Sequence, residues 1–286
     1  MEGATKSPQF IYLSFGNSPS VRRELVYSVS TLLAEIDGER SRVTIFTDRP
    51  QDFADWGMPV VDIADRLTFM RRASDRDYRF RAKPATLIEA LRLHRSACVM
   101  LDTDSFIRPG FGAAVEAALA AGAAMNSFVR ADPYPFFGPF ETDLPHLGRY
   151  RFDRAAPMLN SGLVAARYEH LPVLEDALVL LDRLRAAKLI RHDIEQFAVA
   201  EGFRLAGVKV ALIEREFEHY CQHWTKRYMR RLLRRQGPSP DAPPNAARPS
   251  IDPSKSRVRL FKRMKQAQLA LRALSRRLHW RGAAKR

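Results

Sequence analysis

The sequence contains few cysteines, no long apolar run and no leader-like start. Cys98 and Cys221 are the only cysteines among 286 residues, which excludes a disulfide framework and supplies only two of the four ligands of a structural zinc site. No apolar run approaches the roughly 18 uncharged residues that a membrane-spanning helix needs. The start, MEGATKSPQF, has no basic segment followed by an apolar one, so no signal peptide is expected. We therefore expect a cytoplasmic protein.

Acidic residues are scarce at the C-terminal end. Residues 226–286 hold 19 of the 47 Lys and Arg residues but only two of the 32 Asp and Glu residues. This segment has a net charge of +17, and the preceding 225 residues have a net charge of −2. The nearly neutral body argues against a main domain that binds nucleic acid, and the partner for the excess positive charge is to be sought at the tail.

Composition divides this basic end into three parts, which follow a body of residues 1–225. Residues 226–235 (KRYMRRLLRR) predict a short basic helix, and residues 236–256 contain six prolines and predict an extended linker. Residues 257–286 contain no acid and predict an amphipathic helix. Its apolar stripe follows helical spacing and consists of Leu260, Met264, Ala267, Leu271, Leu274 and Leu278.

A basic amphipathic helix of this kind typically lies on an anionic membrane surface. We therefore expect residues 257–286 to hold the protein peripherally on the inner face of the cytoplasmic membrane. Packing on the protein's own body or on a second copy is the next alternative, which leaves an oligomer open. Binding of nucleic acid is the last alternative.

The body alternates between short apolar runs and stretches of helical periodicity. Strands are predicted at residues 10–15, 42–47, 60–63, 97–101, 123–128 and 208–213, with a strand-turn-strand unit at 158–167. Helices are predicted after the Ser18-Pro19 start signal and at 83–93, 111–121, 171–188 and 192–201, and residues 132–148 predict a loop. This order predicts an α/β fold with a mostly parallel sheet covered on both faces.

Polar residues stand where several of these strands end. Ser14, Asp48 and Asp102 each follow or close an apolar run. Because ligands bind outside the carboxyl ends of parallel strands, we expect these side chains to face a shared ligand crevice.

Two Asp-x-Asp pairs occur in the chain. Asp75 and Asp77 lie in a mixed-charge stretch that is typical of a solvated loop, whereas Asp102 and Asp104 directly follow the apolar run ACVML. Two carboxylates at a strand end repel each other unless a cation lies between them, and oxygen ligands suit Mg²⁺ or Mn²⁺. The alternative is a turn in which the carboxylates accept hydrogen bonds from local backbone N–H groups.

The motifs VMLDTD, MLNSGLVAAR, HDIEQFAVA and FEHYCQHW follow one another in this order after the first strand. In this order they resemble the GT-A glycosyltransferases, the nucleotide-diphospho-sugar transferase fold, in the family 8-like branch of glycogenin and the lipopolysaccharide galactosyltransferases. The resemblance covers residues 10–224. It implies a GT-A sheet, a nucleotide-sugar donor and a divalent metal, Mn²⁺ or Mg²⁺, that bridges the donor diphosphate.

The resemblance also implies roles for individual residues. Asp102 and Asp104 become metal ligands together with a late histidine, which is His219, or His223 as the alternative, since CQHWTK differs from the family's Gly and Lys-Pro-Trp at this point. The expected donor-binding residues are Ser14, Asp48, Lys83, Asp102, Asn160, Ser161 and Gly162. The expected catalytic residues are Asp193, Glu195 and Gln196, and which of the three acts is open.

Simpler interpretations stand beside these roles. The acids near Asp193 are also typical of an exposed helix start, and a lone histidine near an aromatic segment is more often a core or surface residue. Lys83 with Pro84 is also typical of a helix start, and the Asn160-Ser161-Gly162 segment is also typical of a turn.

The sequence thus predicts a metal-dependent glycosyltransferase. The expected reaction moves a sugar from a donor, expected to be a UDP-sugar, to a glycan or lipid-linked acceptor in bacterial surface polysaccharide or lipopolysaccharide synthesis. The resemblance to the glycogenin branch implies retention of configuration, and inversion, with one of the same carboxylates as general base, is the open alternative. One alternative is a non-catalytic protein that binds a membrane or nucleic acid through the basic tail. The other is a nucleotidyltransferase, which the single Gly16 after the first strand disfavours, because that class uses a glycine-rich loop there.

Overall fold

The apolar runs of the first half form neighbouring parallel strands in the computed structural model, which describes residues 7–73, 76–130, 139–189, 193–247 and 249–253 together with residue 264. The strands are β1 (Gln9–Ser14), β2 (Val43–Thr47), β3 (Val60–Asp62), β4 (Arg72–Ala73), β5 (Arg76–Asp77), β6 (Cys98–Leu101), β7 (Ser105–Ile107), β8 (Ala123–Met125), β9 (Phe128–Arg130), β10 (Glu141–Leu144), β11 (Gly148–Arg151), β12 (Met158–Leu159), β13 (Leu163–Ala166), β14 (Val210–Leu212) and β15 (Phe217–His219). The helices are α1 (Pro19–Leu33), α2 (Leu67–Arg71), α3 (Ala82–His94), α4 (Phe111–Ala121), α5 (Leu171–Ala186), α6 (Ile194–Leu205) and α7 (His223–Gln236).

Seven strands form the central sheet in the order β14-β8-β13-β6-β1-β2-β3. Within this sheet β13 alone runs antiparallel to its two neighbours, and the remaining pairings are parallel. Alternate residues of β1 face opposite sides, since Phe10 and Tyr12 belong to one apolar core and Ile11 to the other. The prediction of a mostly parallel sheet with both faces covered is therefore confirmed.

Two regions differ from the elements that the sequence predicts. The run 123–128 divides into β8 and β9, and β9 leaves the central sheet to pair with β12. The described part of the predicted loop, 139–148, contains β10 and begins a hairpin with β11, so the loop prediction is wrong there. Residues 131–138 lie outside the described residues. Buried Tyr150 and Leu144 anchor the hairpin to a third apolar cluster, which explains why a polar, proline-rich stretch continues into regular structure.

The basic stretch 226–235 is helical within α7, and the segment after it lies against α1. Burial of Thr225, Met229 and Leu233 fixes one face of α7. Farther on, the Tyr27 hydroxyl donates to the Ile251 carbonyl at 2.7 Å, and the Asn245 N–H donates to the Ser30 hydroxyl at 3.2 Å. The proline-rich segment therefore packs along the body over residues 237–247 and 249–253 instead of extending freely.

The predicted amphipathic helix at 257–286 lies outside the described residues except for Met264. Within the described part of the chain, no helix combines the length and apolar character needed to cross a membrane.

Candidate active site

Strand pairing brings the Asp-x-Asp motif beside two other predicted motifs. Because β13 runs antiparallel to β6, Leu163 pairs with Leu101, and the Asp102 N–H donates to the Gly162 carbonyl at 2.9 Å. On the other side β15 pairs with β7, so that His219 lies opposite Ser105. The Asn-Ser-Gly segment and His219 therefore both border Asp102 and Asp104.

Asp102, Asp104 and His219 form a group suited to a hard divalent cation. Their ligand atoms all lie within 4.8 Å of one another. The His219 Nε2 atom is 3.2 Å from the Asp102 Oδ2 atom and 3.5 Å from the Asp104 Oδ1 atom. Two carboxylates and one imidazole are ligands that Mg²⁺ and Mn²⁺ accept, so the residues present fit the predicted metal.

Asn160 fixes the tautomer of His219. The Gly162 N–H can only donate, and it lies 2.8 Å from the Asn160 Oδ1 atom, which identifies that atom as the amide oxygen. The His219 Nδ1 atom lies 2.9 Å from the same oxygen and must therefore carry a proton. The Nε2 atom is left to face the two carboxylates, as a metal-binding imidazole requires.

Gly162 permits this close approach of the imidazole. A Cβ atom at this position would lie 2.2 Å from the His219 Nδ1 atom and 2.6 Å from its Cγ atom. The ring is confined on its other side by Asp102 and Asp104, with which it forms ion pairs. The glycine of the Asn-Ser-Gly segment is thus required by the imidazole ring.

We expect Gly162→Ala to lower the free energy of unfolding by about 1–3 kcal/mol, because the added methyl group overpacks the site. Urea denaturation at neutral pH would measure the change. Gly112→Ala is the matched control, since a Cβ atom there meets nothing closer than the Glu35 carbonyl at 3.7 Å and alanine favours a helix interior. Equal unfolding midpoints for the two variants would contradict the argument.

Two lysines offset the negative charge of the motif. The Lys83 Nζ atom lies 2.9 Å from the Asp102 Oδ1 atom and donates to the Ser161 hydroxyl at 3.1 Å. The Lys226 Nζ atom lies 2.7 Å from the Asp104 Oδ2 atom. Both cations therefore lie beside the metal-binding group, where they would attract an anionic ligand.

The pKa values follow from this charge arrangement. Burial opposes ionisation of both aspartates, but Lys83 beside Asp102, and His219 with Lys226 beside Asp104, outweigh it and hold both carboxyl pKa values below their usual range. Burial alone would lower the pKa of His219, whereas the two carboxylates raise it well above its usual value. The two carboxylates and the basic groups around them thus stabilise one another's charged forms.

Glu195 joins the same cluster from the start of α6. Its carboxylate accepts a hydrogen bond from the Ser161 hydroxyl at 2.6 Å and from the Tyr78 hydroxyl at 3.2 Å, and it lies 3.5 Å from the Lys83 Nζ atom. Burial together with the negative charge of Glu195 raises the pKa of Tyr78, so the phenol remains a hydrogen-bond donor. Asp193 and Gln196 are also buried, and the negative charge of Asp193 contributes to the raised pKa of Tyr78.

Ser14 and Asp48 lie one and two strands away along the same sheet edge. Ser14 closes β1, and the carboxylate of Asp48, just after β2, accepts a hydrogen bond from the Gly16 N–H at 3.0 Å. The structure therefore places both residues at the predicted edge without bringing them into the metal-binding group. His223 begins α7, is exposed, and stacks edge-on against Trp224.

Sequence reasoning missed Tyr78 and Lys226. Tyr78 reaches Glu195 across 117 residues, and Lys226 reaches Asp104 across 122 residues. Neither residue has a local pattern that sets it apart.

Comparisons with solved structures find glycosyltransferases. The galactosyltransferase LgtC, solved with donor and acceptor sugar analogues, is 10% identical over 71% of this chain and 73% of its own, with a TM-score of 0.46. The bifunctional glycosyltransferase WbbM is 10% identical over 84% of this chain and 46% of its own, with a TM-score of 0.44. Mouse xyloside xylosyltransferase 1 is 13% identical over 72% of this chain and 84% of its own, with a TM-score of 0.42.

No protein-family model matches the sequence, and a search of curated proteins finds no match. In structure the chain is similar to these glycosyltransferases.

Proposed function

We propose that the protein is a metal-dependent glycosyltransferase of the GT-A fold that takes a sugar from a nucleoside-diphosphate donor, a UDP-sugar. The observation that carries this proposal is the convergence of Asp102, Asp104 and His219 at the carboxyl edge of the sheet. The acceptor is a glycan or a lipid-linked sugar of bacterial surface polysaccharide or lipopolysaccharide synthesis.

Asp102, Asp104 and the Nε2 atom of His219 would hold Mn²⁺ or Mg²⁺. When bound, this cation neutralises the negative charge that develops on the departing nucleoside diphosphate. Lys83 and Lys226 add two ammonium groups beside the same position and donate hydrogen bonds to the phosphate oxygens. Asn160 acts through His219, whose ring orientation it fixes.

Glu195 is the candidate catalytic residue among the three acidic or amide side chains at the start of α6. It is the one whose carboxylate contacts Ser161 and lies 3.5 Å from Lys83. A fixed carboxylate at this position stabilises the positive charge that develops on the anomeric carbon as the donor bond breaks. We propose retention of configuration, as the resemblance to the glycogenin branch implies.

Calorimetric titration of UDP tests the proposal. We expect UDP to bind the wild-type protein in the presence of Mn²⁺ with a dissociation constant between about 1 µM and 1 mM, and to bind far more weakly in EDTA. GDP and CMP, titrated in parallel, test the choice of base. Absence of metal-dependent binding for all three would overturn the proposal and favour a non-catalytic protein that acts through its basic tail.

The proposed membrane contact of residues 257–286 is tested separately. We expect the full chain to float with vesicles that contain phosphatidylglycerol, because the segment is basic and amphipathic. A chain that ends at Lys255 should bind these vesicles at least about tenfold more weakly, as loss of several basic residues at about 1 kcal/mol each implies. Vesicles of phosphatidylcholine alone are the control, and equal flotation of both chains would contradict the assignment.

A further inference from the structure

A basic groove lies between the start of α1 and the length of α7, with a cavity volume of about 930 Å³. The cationic residues that line it are Arg23, Lys226, Arg227, Arg230, Arg231, Arg234 and Arg235. The other lining residues are Pro19, Ser20, Cys221 and His223, and no acidic side chain lines it among the residues that the structure describes. Such a concave cationic surface concentrates anions.

The packing of α7 directs these cations into the groove. Met229 and Leu233 are buried on one face, and the Arg230 guanidinium pairs with both oxygens of buried Glu24 at 3.0 and 2.9 Å. This two-point contact fixes α7 against α1. The groove is therefore formed before any ligand binds.

Four exposed arginines of the groove form no ion pair with an acid in the described part of the chain: Arg227, Arg231, Arg234 and Arg235. Arg227 and Arg231 are four residues apart on one helix, where like charges repel and destabilise the helix. A bound anion would offset this cost.

The groove is continuous with the candidate active site. Lys226 lines it and also contacts Asp104 at 2.7 Å. From Lys226 to Arg234 the helix advances about 12 Å at 1.5 Å per residue, so the cationic surface continues well beyond the metal-binding group. The positive end of the α1 dipole, where Pro19 and Ser20 line the same cavity, adds a further attraction for anions.

We propose that this groove binds the acceptor through phosphate groups, so that the acceptor of the reaction is a phosphate-bearing glycan. This inference rests on the proposed function, because it assigns the second substrate of the same site. Arginine forks match phosphate oxygens in two-point contacts. The concave shape suits phosphates that project from a glycan, whereas a flat bilayer surface would reach only the rim of the groove.

Calorimetric titration of tripolyphosphate in EDTA tests the groove on the full chain. The variant combines Arg227→Gln, Arg231→Gln and Arg234→Gln, which leaves the buried face of α7 and the Arg230 ion pair unchanged. We expect this variant to bind tripolyphosphate at least about tenfold more weakly than the wild type, with a smaller dependence on salt. The control, with the same change in charge at exposed residues elsewhere, combines Arg183→Gln, Lys188→Gln and Arg215→Gln, and should bind as the wild type does.

Two further measurements on the same proteins separate this inference from its rivals. UDP binding with Mn²⁺ should stay within about twofold in the groove variant, because three exposed arginines contribute little at the metal-binding group. Its loss in the groove variant alone would make the groove part of the donor site, whereas its absence in the wild type would overturn the proposed function instead. Equal tripolyphosphate binding by all three proteins, or no binding by any of them, would overturn the proposal that the groove binds phosphate groups.

Vesicle flotation tests the alternative that the groove binds a membrane surface. Flotation with phosphatidylglycerol vesicles should be equal for the wild type, the groove variant and the control variant. Loss of flotation in the groove variant, with tripolyphosphate binding retained, would assign the groove to a lipid surface and overturn the acceptor assignment.

Discussion

Replacement of Asp104 by asparagine is expected to weaken metal-dependent UDP binding at least about 100-fold, since even residues behind the metal ligands cost 10–100-fold when changed. Asparagine keeps the shape of the side chain but removes the negative charge that lies between His219 and Lys226. A neutral amide oxygen attracts a divalent cation far less than a carboxylate does. Calorimetric titration of UDP with Mn²⁺ would measure the loss.

The matched control for this change is Asp143→Asn. Asp143 lies on β10 with 80% of its side chain exposed and is 3.8 Å from the Arg149 Nη1 atom, away from the metal-binding group. We expect its UDP affinity to equal that of the wild type. Thermal unfolding of both variants would show whether the fold is intact. Undiminished metal-dependent binding in folded Asp104→Asn protein would remove Asp104 from the metal site.

Glu195→Gln is expected to lower the rate of sugar transfer by about 100- to 1000-fold, the range found when one preorganised electrostatic contact is lost from a transition state. The amide can still bond to Ser161 and Tyr78, which contact the carboxylate now. It cannot supply the negative charge that opposes the developing charge on the sugar. UDP affinity should change little, so kcat falls while donor binding is retained.

Glu201→Gln is the control for this prediction, because Glu201 is equally buried on α6 but pairs with Arg204 instead of the cluster. It should alter stability without lowering the transfer rate of the folded protein. Transfer would be followed by product formation from the UDP-sugar that binds most tightly. An intact rate for Glu195→Gln with a loss for Asp193→Asn would move the catalytic role to Asp193.

The sheet itself could be predicted because its signals are local. Every residue of β2 and β6 and four of the six residues of β1 are buried, and each of these mainly apolar strands ends at or just before a polar residue. Helix α4 begins and ends where its pattern predicts. Asp102 was a sound candidate for the same reason, since a side chain just after a buried parallel strand must face the ligand edge.

The sequence alone could not decide whether His219 or His223 belongs to the metal-binding group. The two histidines lie four residues apart, and the Tyr220 that follows His219 favours His219 without excluding His223. The antiparallel pairing of β15 with β7 places His219 opposite Ser105, and Asn160 then orients its ring. The register between strands that are distant in sequence depends on side-chain packing over the whole core. It therefore cannot be predicted from a local sequence pattern.

The sequence by itself determined the strand and helix order, the Asp-x-Asp position and the separation of a neutral body from a basic end, since periodicity and charge are properties of neighbouring residues. Tertiary structure alone decided which cations meet the motif. Lys226 reaches Asp104, and Arg230 reaches Glu24, because α7 buries Met229 and Leu233 against Tyr27. A basic stretch that composition assigns to a separate tail thus forms one wall of a groove beside the site, since burial of its apolar face fixes where its charges point.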